Sequence, residues 1–177
     1  KMDFSRESEM VYCKNRVILT LRKIHAMLKT LSVLIFAAFF SFQGFAQTDE
    51  DGVKAVVSKL FTSMKTADEQ AILSCFADNA IMQSIIKDKD GKNTIKSDGV
   101  TGFAAFVGKQ PQGAADERIV FETIKIDGDL ALVWTPYQFF YNGKFSHCGV
   151  NAFGLIKVNG AWKIHYLIDT RRKDNCG

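Results

Sequence analysis

Several motifs that mark enzymes and metal proteins are missing from this sequence. It contains no P-loop, no dinucleotide-binding fingerprint, no serine nucleophile elbow and no His-Glu-x-x-His pattern. It has only three histidines, His25, His147 and His165, and these do not cluster along the chain. We therefore expect neither a bound metal nor a cofactor.

Cysteine is also scarce. The part of the chain after residue 46 contains Cys75, Cys148 and Cys176, which are too few for a disulfide framework and do not have zinc-site spacing. An oxidising compartment would permit one disulfide, and Cys148 with Cys176 is the first pair to test. The alternative is that these are buried, unreactive thiols.

Residues 47–177 also lack an excess of charge of either sign. The whole chain has a formal net charge of +4, but the first 46 residues carry that excess. A neutral chain has no electrostatic footprint for nucleic acid or an anionic membrane. We therefore expect a small-molecule partner and no nucleic-acid partner.

The predominantly apolar run at residues 31–40 is too short for a membrane span, which needs roughly 20 apolar residues. A basic start at residues 27–30 precedes it, and Gly44-Phe45-Ala46 places small residues before a possible cleavage site. We predict a signal peptide at 27–46, an upstream extension outside the fold at 1–26, and one domain at 47–177. The protein would then be exported, periplasmic or secreted, and not integral to the membrane; a membrane anchor is the alternative.

The periodicity of the remaining chain changes from helical to extended. Val53, Val57, Leu60, Phe61 and Met64 form a helical apolar stripe, and shorter stripes follow near residues 69–76 and 100–107. Asn-Gly turns at 142–143 and 159–160 then separate alternating runs at 117–126, 130–141, 144–158 and 161–172. This predicts an α+β fold: a cone of three N-terminal helices packed on a curved antiparallel sheet that encloses a pocket.

Two-residue turns allow the strand register, and hence the side chains that face the helices, to be predicted. With this register Gln138 lies opposite His147, and Asn151 lies opposite Ile168. Polar groups among aromatic side chains on one sheet face are typical of a ligand site. The predicted ligand-binding residues are Trp134, Gln138, His147, Asn151, Tyr166, Thr170 and Arg172.

The same register leaves apolar side chains on the outer face of the sheet. Tyr137, Phe139, Val150 and Leu167 would lie there, which predicts a homodimer through that face. Pro136 falls opposite Gly149, and both residue types mark bulges. A one-residue bulge would instead bring Asp169 and Arg171 inward, so Asp169 is a second candidate catalytic residue beside His147.

The chain resembles the nuclear transport factor 2-like (NTF2-like) superfamily over roughly residues 50–172. The resemblance rests on the element order, on the Asn-Gly-Ala-Trp-Lys-Ile run at 159–164, and on the stretches 144–153 and 169–172, which are similar to an exported branch named "putative lumazine-binding". It implies a small heteroaromatic ligand. The ketosteroid isomerase pattern is absent, because the first helix has no Tyr and Met82, Gln83 and Ser84 supply no carboxylate.

Three functional hypotheses follow. The first is an exported binder of a small molecule in an apolar, aromatic-lined pocket. The second is a cofactor-independent cyclase, isomerase or hydratase, as in polyketide cyclase-like (SnoaL-like) members, with His147 or Asp169 as acid or base and Asn151 polarising a carbonyl. The third is a dimer module whose cavity has no ligand.

Overall fold

The computed structural model describes residues 48–176. The predicted signal peptide and upstream extension lie outside these residues. Three helices form: α1 (Asp49–Thr66), α2 (Glu69–Cys75) and α3 (Val100–Gly108). Side-chain oxygens of Thr48 and Asp68 accept backbone N–H groups at the starts of α1 and α2, whereas Gly99 begins α3 without a side-chain cap.

The seven strands form one mixed sheet. They are β1 (Phe76–Lys87), β2 (Asn93–Asp98), β3 (Ala115–Ile119), β4 (Thr123–Asp127), β5 (Leu130–Tyr141), β6 (Lys144–Val158) and β7 (Ala161–Thr170). Their order is β2-β1-β7-β6-β5-β3, and β4 also pairs with β5. The α+β class is confirmed, but the purely antiparallel sheet is wrong because β1 runs parallel to β7. No turn motif joins β1 to β7, so local turn signals do not report that pairing.

Two strand boundaries also differ from the prediction. The predicted elements include no strand at 93–98, where β2 pairs with β1. The single strand predicted at 117–126 is two strands, and both pair with β5. β3 pairs with the second half of β5 and β4 with the first half, so the chain bends between them to follow the curvature of the sheet.

The predicted apolar stripe of α1 packs into the core. Val53 and Val57 are fully buried, and Leu60 is nearly so. They join Phe153, Leu155 and Ile164 from the central strands in one cluster of buried side chains. This packing aligns α1 across the sheet, which fixes where the C-terminal half of the helix lies. None of the helices within residues 48–176 combines the length and the hydrophobicity of a membrane span.

Two bulges change the strand register from the one predicted. In β6 Phe145 pairs with Phe140 and His147 with Phe139, which leaves Ser146 without a partner on β5. In β7 the pairing shifts in the same way at His165. Since one extra residue inverts the facing of every later side chain relative to the neighbouring strand, the predicted pairings Gln138–His147 and Asn151–Ile168 are wrong. Asn151 pairs with Thr135 on one side and Asp169 on the other.

The segment after β7 is joined to β6 by a disulfide. Cys148 bonds to Cys176, and Cys75 is a free, buried thiol in α2. The backbone N–H of Cys148 donates to the carbonyl of Arg172 at 2.9 Å, and the N–H of Arg172 donates to the carbonyl of Cys148 at 2.9 Å. Residues 171–176 are therefore held against the sheet beside His147.

Candidate functional site

A cavity of about 550 Å³ lies between the helices and the sheet. Its walls are mostly apolar. Leu60, Phe61 and Met64 of α1, Phe103, Phe106 and Val107 of α3, and Met82, Phe139 and Leu167 of the sheet contribute to them. These side chains lie there because α1 and α3 turn their apolar stripes towards the sheet, leaving a space that their side chains do not fill.

Three polar side chains surround the Asp169 carboxylate at one end of the cavity. The Ser84 hydroxyl donates to Asp169 Oδ1. Arg171 Nε donates to Asp169 Oδ2 at 2.8 Å, and Arg171 Nη2 donates to Ser84 Oγ at 2.9 Å. The Tyr137 hydroxyl lies 3.2 Å from Asp169 Oδ2 and 2.9 Å from the Thr170 carbonyl oxygen. The charge of Asp169 is thus balanced by Arg171 within the cluster.

Burial and the neighbouring carboxylate also act on Tyr137. Desolvation is the larger cause and the negative charge of Asp169 the second, and both raise the pKa of the phenol well above its usual range. Tyr137 therefore stays protonated and serves as a hydrogen-bond donor. It cannot act as a base near neutral pH.

Glu117 and Asn151 form a second polar pair in the cavity wall. Asn151 Nδ2 donates to Glu117 Oε1 at 2.8 Å. Desolvation raises the pKa of the Glu117 carboxyl to about 7; Asp169 raises it further, while the hydrogen bond from Asn151 opposes the rise. Glu117 therefore exchanges a proton near neutral pH, which is the range in which a carboxyl can serve as either donor or acceptor.

His147 lies beside the same polar end. Its ring packs edge-on against Tyr137, with ring centroids 5.7 Å apart, and at a tilt against Phe139 at 5.1 Å. Its Nδ1 is 3.1 Å from the Ser146 hydroxyl. Burial, with the positive charge of Arg171 as a second cause, lowers the pKa of the imidazole below its ordinary value. His147 is therefore neutral at pH 7.

The opposite end of the cavity opens beside α3 and β2. Lys96 forms an ion pair with Asp98 at 3.0 Å, and the Tyr141 hydroxyl donates to Gln110 Oε1 at 2.8 Å. Phe106 stands at this rim with 62% of its surface exposed. This rim therefore combines aromatic side chains with one ion pair and one hydrogen-bonded polar pair.

The structure brings three of the residues predicted from sequence into the cavity wall: His147, Asn151 and Asp169. The other five predicted ligand-binding residues lie outside it: Trp134, Gln138, Tyr166, Thr170 and Arg172. The bulges at Ser146 and His165 account for this placement, because they invert the facing of β5 relative to β6 and of the second half of β7.

Each of these five side chains has another environment. Trp134 is 45% exposed on the outer sheet face. Gln138 Nε2 donates to the Cys176 carbonyl at 3.2 Å, and the Tyr166 hydroxyl donates to Gln83 Oε1 at 2.8 Å. Thr170 Oγ1 accepts from the backbone N–H of Val150 at 3.1 Å, and Arg172 Nε donates to the Asn175 carbonyl at 3.2 Å.

Glu117, Ser84 and Tyr137 are site residues that the sequence analysis missed. Alternation in β3 offers a signal for Glu117, because Ala115, Glu117 and Ile119 share one face and the first and last are apolar. Ser84 and Tyr137 gave no such signal, since their facing depends on the parallel β1–β7 pairing and on the bulge in β6. Within the described chain, 48–176, no three His, Cys, Asp or Glu side chains cluster as a metal site.

Comparison with known proteins places this fold in a family. The family model described as "Putative lumazine-binding" matches residues 48–166. No curated protein matches the chain. An NTF2-like protein of unknown function from Shewanella baltica is 18% identical, with a TM-score of 0.56, and the match covers 71% of this chain and 95% of that one.

Two further solved structures show the same fold. An NTF2-like protein of unknown function from Methylobacillus flagellatus is 18% identical, with a TM-score of 0.54 and coverage of 70% of this chain and 92% of that one. A protein of unknown function with a cystatin-like fold from Nostoc punctiforme is 13% identical, with a TM-score of 0.56 and coverage of 72% and 95%. Identities this low support the shared fold alone.

Proposed function

We propose that this chain, which belongs to the family described as "putative lumazine-binding" within the NTF2-like superfamily, binds a small, partly aromatic molecule in the cavity between its helices and its sheet. One observation carries the proposal: an apolar cavity of about 550 Å³ with its polar groups gathered at one end. Ligand pockets in proteins have this size and this distribution of polarity.

The composition of the cavity favours a heteroaromatic ligand. Phe61, Phe103 and Phe139 offer ring faces and edges to a flat ring system. At the polar end, Glu117 and Asn151 offer hydrogen-bonding groups that would orient the heteroatoms of that ring. We also propose that the domain has the shape of a cone and encloses its ligand.

A ligand panel tests the proposal. Lumazine, riboflavin and simpler bicyclic heteroaromatics would be added to the pure protein, with melting temperature and native mass spectrometry as readouts. Gly102→Trp places a large ring in the cavity wall, whereas Thr101→Trp places the same ring on the neighbouring exposed position of α3. We expect Gly102→Trp to weaken binding at least about 10-fold and Thr101→Trp to leave it unchanged. If no compound raises the melting temperature or remains bound in the mass spectrometer, the proposal fails.

A second candidate function is cofactor-independent proton-transfer chemistry, as in a cyclase, isomerase or hydratase. It is supported by the neutral His147 and the ionised Asp169–Arg171 pair beside the same cavity end. His147 or Asp169 would transfer the proton and Asn151 would polarise a carbonyl. Exchange of deuterium from solvent into a bound carbonyl ligand, read by mass spectrometry, tests it. His147→Ala should abolish exchange while leaving binding intact, and unchanged exchange in both His147→Ala and Asp169→Asn would exclude this chemistry.

The proposal includes a homodimer through the outer face of the sheet. Tyr137, Phe139 and Leu167, first predicted to form this face, line the cavity instead. The inverted register gives the outer face Leu132 and Trp134, which are 55% and 45% exposed. A second copy would cover this apolar surface.

Light scattering after gel filtration tests the dimer. Trp134→Lys should convert it to a monomer, because a charge would then be buried in the interface. Ile95→Lys, at an exposed position on β2, which three strands separate from β5, should leave the dimer intact. A wild-type monomer at micromolar concentration would contradict this part of the proposal.

Export is the last part of the proposal. The order of basic, apolar and small residues at 27–46 supports it, and so does the Cys148–Cys176 disulfide, which oxidising compartments permit. Intact mass of the protein from a bacterial periplasm should match a chain that begins at Gln47. Ala46→Lys should block cleavage, and a mass that retains residues 27–46 in the wild type would contradict cleavage.

A further inference from the structure

We propose that the polar end of the cavity recognises a neutral cyclic amide, a ring with adjacent N–H and C=O groups, through the paired side chains of Glu117 and Asn151. The inference rests on the proposed binding function and names the chemical class of ligand for the same cavity. Two observations support it: Asn151 donates a hydrogen bond to Glu117, and the second oxygen of Glu117 and the oxygen of Asn151 make no hydrogen bond within the described part of the chain.

The hydrogen bond between the two side chains uses two of their four polar atoms. Asn151 Nδ2 donates to Glu117 Oε1 at 2.8 Å. Within residues 48–176, Oε2 of Glu117 and Oδ1 of Asn151 make no hydrogen bond, and neither is among the buried atoms that lack a partner. Because both residues line the cavity, these two oxygens are open to its lumen. They lie on adjacent side chains that the hydrogen bond holds together.

A cyclic amide complements these two oxygens when Glu117 is protonated. The carboxyl O–H of Glu117 would donate to the ligand C=O, and Asn151 Oδ1 would accept the ligand N–H. The ring holds its N–H and C=O side by side, so both hydrogen bonds form without a conformational cost to the ligand. A ring nitrogen that carries a methyl group in place of hydrogen loses one of these bonds and meets Asn151 Oδ1 with an apolar group.

The charges around Glu117 favour a ligand without net charge. Apart from Glu117, the titratable side chains that line the cavity are Lys96 and Asp98 on β2, Tyr137 and Tyr141 on β5, His147 on β6, Asp169 on β7 and Arg171 directly after β7. Arg171 is already paired with Asp169 at 2.8 Å. The helices α1 and α3 contribute apolar walls, so an added charge would be desolvated without a free counter-charge. The raised pKa of Glu117, about 7, makes its protonated form available near neutral pH.

A pair of fluorescent bicyclic probes tests the inference: quinolin-2(1H)-one and its N-methyl derivative, neither of which titrates near neutral pH. Binding would be measured by fluorescence titration. We expect the N-methyl compound to bind roughly 10-fold more weakly, as expected for one lost hydrogen bond to a desolvated acceptor. Between about pH 5.5 and about pH 8.5, binding of the N–H compound should weaken by up to about 30-fold, because only the protonated fraction of Glu117 donates.

Two variants separate this hydrogen bond from general effects of pH. Glu117→Gln keeps a donor and an acceptor but cannot titrate, so its affinity for quinolin-2(1H)-one should be independent of pH. Glu122→Gln makes the same chemical change at an exposed position outside the cavity and should retain the wild-type pH dependence.

The outcomes distinguish this inference from the binding function. Equal binding of the two quinolinones, or a pH dependence that persists in Glu117→Gln, would overturn the cyclic-amide inference while the cavity remains a binding site. Binding of other heteroaromatic compounds but of neither quinolinone would do the same. Failure of every compound in both experiments would overturn the binding function and this inference together.

Discussion

Glu117 is a carboxylic acid whose charge depends on the cavity around it. An exposed glutamate is ionised at pH 7, but desolvation beside Asp169 brings the pKa of Glu117 to about 7. The same residue accepts a hydrogen bond from Asn151, which weakens as the carboxyl is protonated. The proton on Glu117 therefore contributes to the stability of the folded chain, and under the proposed recognition it would also control ligand binding.

Protein stability should reflect this pKa. A carboxyl whose folded-state pKa lies above its unfolded value of 4.5 stabilises the fold at low pH, and this contribution is lost as pH rises from 4.5 through about 7. The free energy of unfolding of the wild type should thus fall by about 2 kcal/mol relative to Glu117→Gln across this interval, a value reduced for partial access to solvent. Urea denaturation at several pH values measures it. Parallel curves for the two proteins would contradict the raised pKa, and Glu122→Gln should follow the wild type.

Thr135 is a buried residue with an unmet hydrogen-bonding group. It is fully buried on β5, and its Oγ1 makes no hydrogen bond within residues 48–176. Thr135→Val keeps the shape but removes this hydroxyl, so it should raise the free energy of unfolding by about 1 kcal/mol. Thr123→Val, at an exposed position on β4, should change it by less than about 0.5 kcal/mol. A loss of stability in Thr135→Val would indicate that the hydroxyl has a partner, such as a bound water.

At the scale of elements, local patterns predicted most of the helices and strands. The α1 stripe and the two Asn-Gly turns lie where the sequence placed them, because helical period and turn chemistry are local properties. The parallel pairing of β1 with β7 joins segments more than 80 residues apart in the sequence, and no local signal marks it. β2 lacks an apolar alternation because its side chains are mostly exposed.

The candidate site was harder to predict than the elements that form it. His147 and Asn151 both line the cavity, since β6 alternates without interruption beyond Ser146. Trp134 was misplaced because the bulge at Ser146 shifts β5 against β6 by one residue. Ser146 and His165 are neither proline nor glycine, the residue types that mark bulges. The positions where a bulge was expected, Pro136 and Gly149, pair regularly with Val150 and Tyr137. One unmarked residue in each strand therefore decided which side chains face the cavity.

Gly149 has a packing role in β6 that its neighbour Gly154 does not share. A Cβ on Gly149 would overlap the Thr170 carbonyl oxygen and lie 2.8 Å from Tyr137 Cε1, whereas a Cβ on Gly154 would meet only Tyr166 Cβ, at 3.5 Å. Gly149→Ala should lower the free energy of unfolding by about 2 kcal/mol or more, because backbone and an aromatic ring must both move. Gly154→Ala should be close to neutral. Thermal denaturation compares them, and equal melting temperatures would contradict the close approach.

At the scale of the whole molecule, the C-terminal segment completes the polar end of the cavity. Arg171 follows directly after β7, and its guanidinium reaches Asp169 and Ser84. The segment that follows is held by the Cys148–Cys176 disulfide and by the donation of Gln138 Nε2 to the Cys176 carbonyl at 3.2 Å. The crosslink therefore joins β6 to the segment that begins with Arg171.

Loss of this crosslink should destabilise the whole domain. The disulfide joins residues separated by 28 positions in the sequence, so breaking it increases the entropy of the unfolded chain. Reduction by a dithiol, or Cys176→Ser, should lower the free energy of unfolding by about 3 kcal/mol. The matched control is reductant added to Cys176→Ser, which should have no further effect, because both described cysteines of this variant, Cys75 and Cys148, are already thiols. A wild-type protein whose urea denaturation is the same with and without reductant would contradict a stabilising disulfide. Arg171 would then be held in the cavity by the backbone pairing between Cys148 and Arg172 and by its own hydrogen bonds to Asp169 and Ser84.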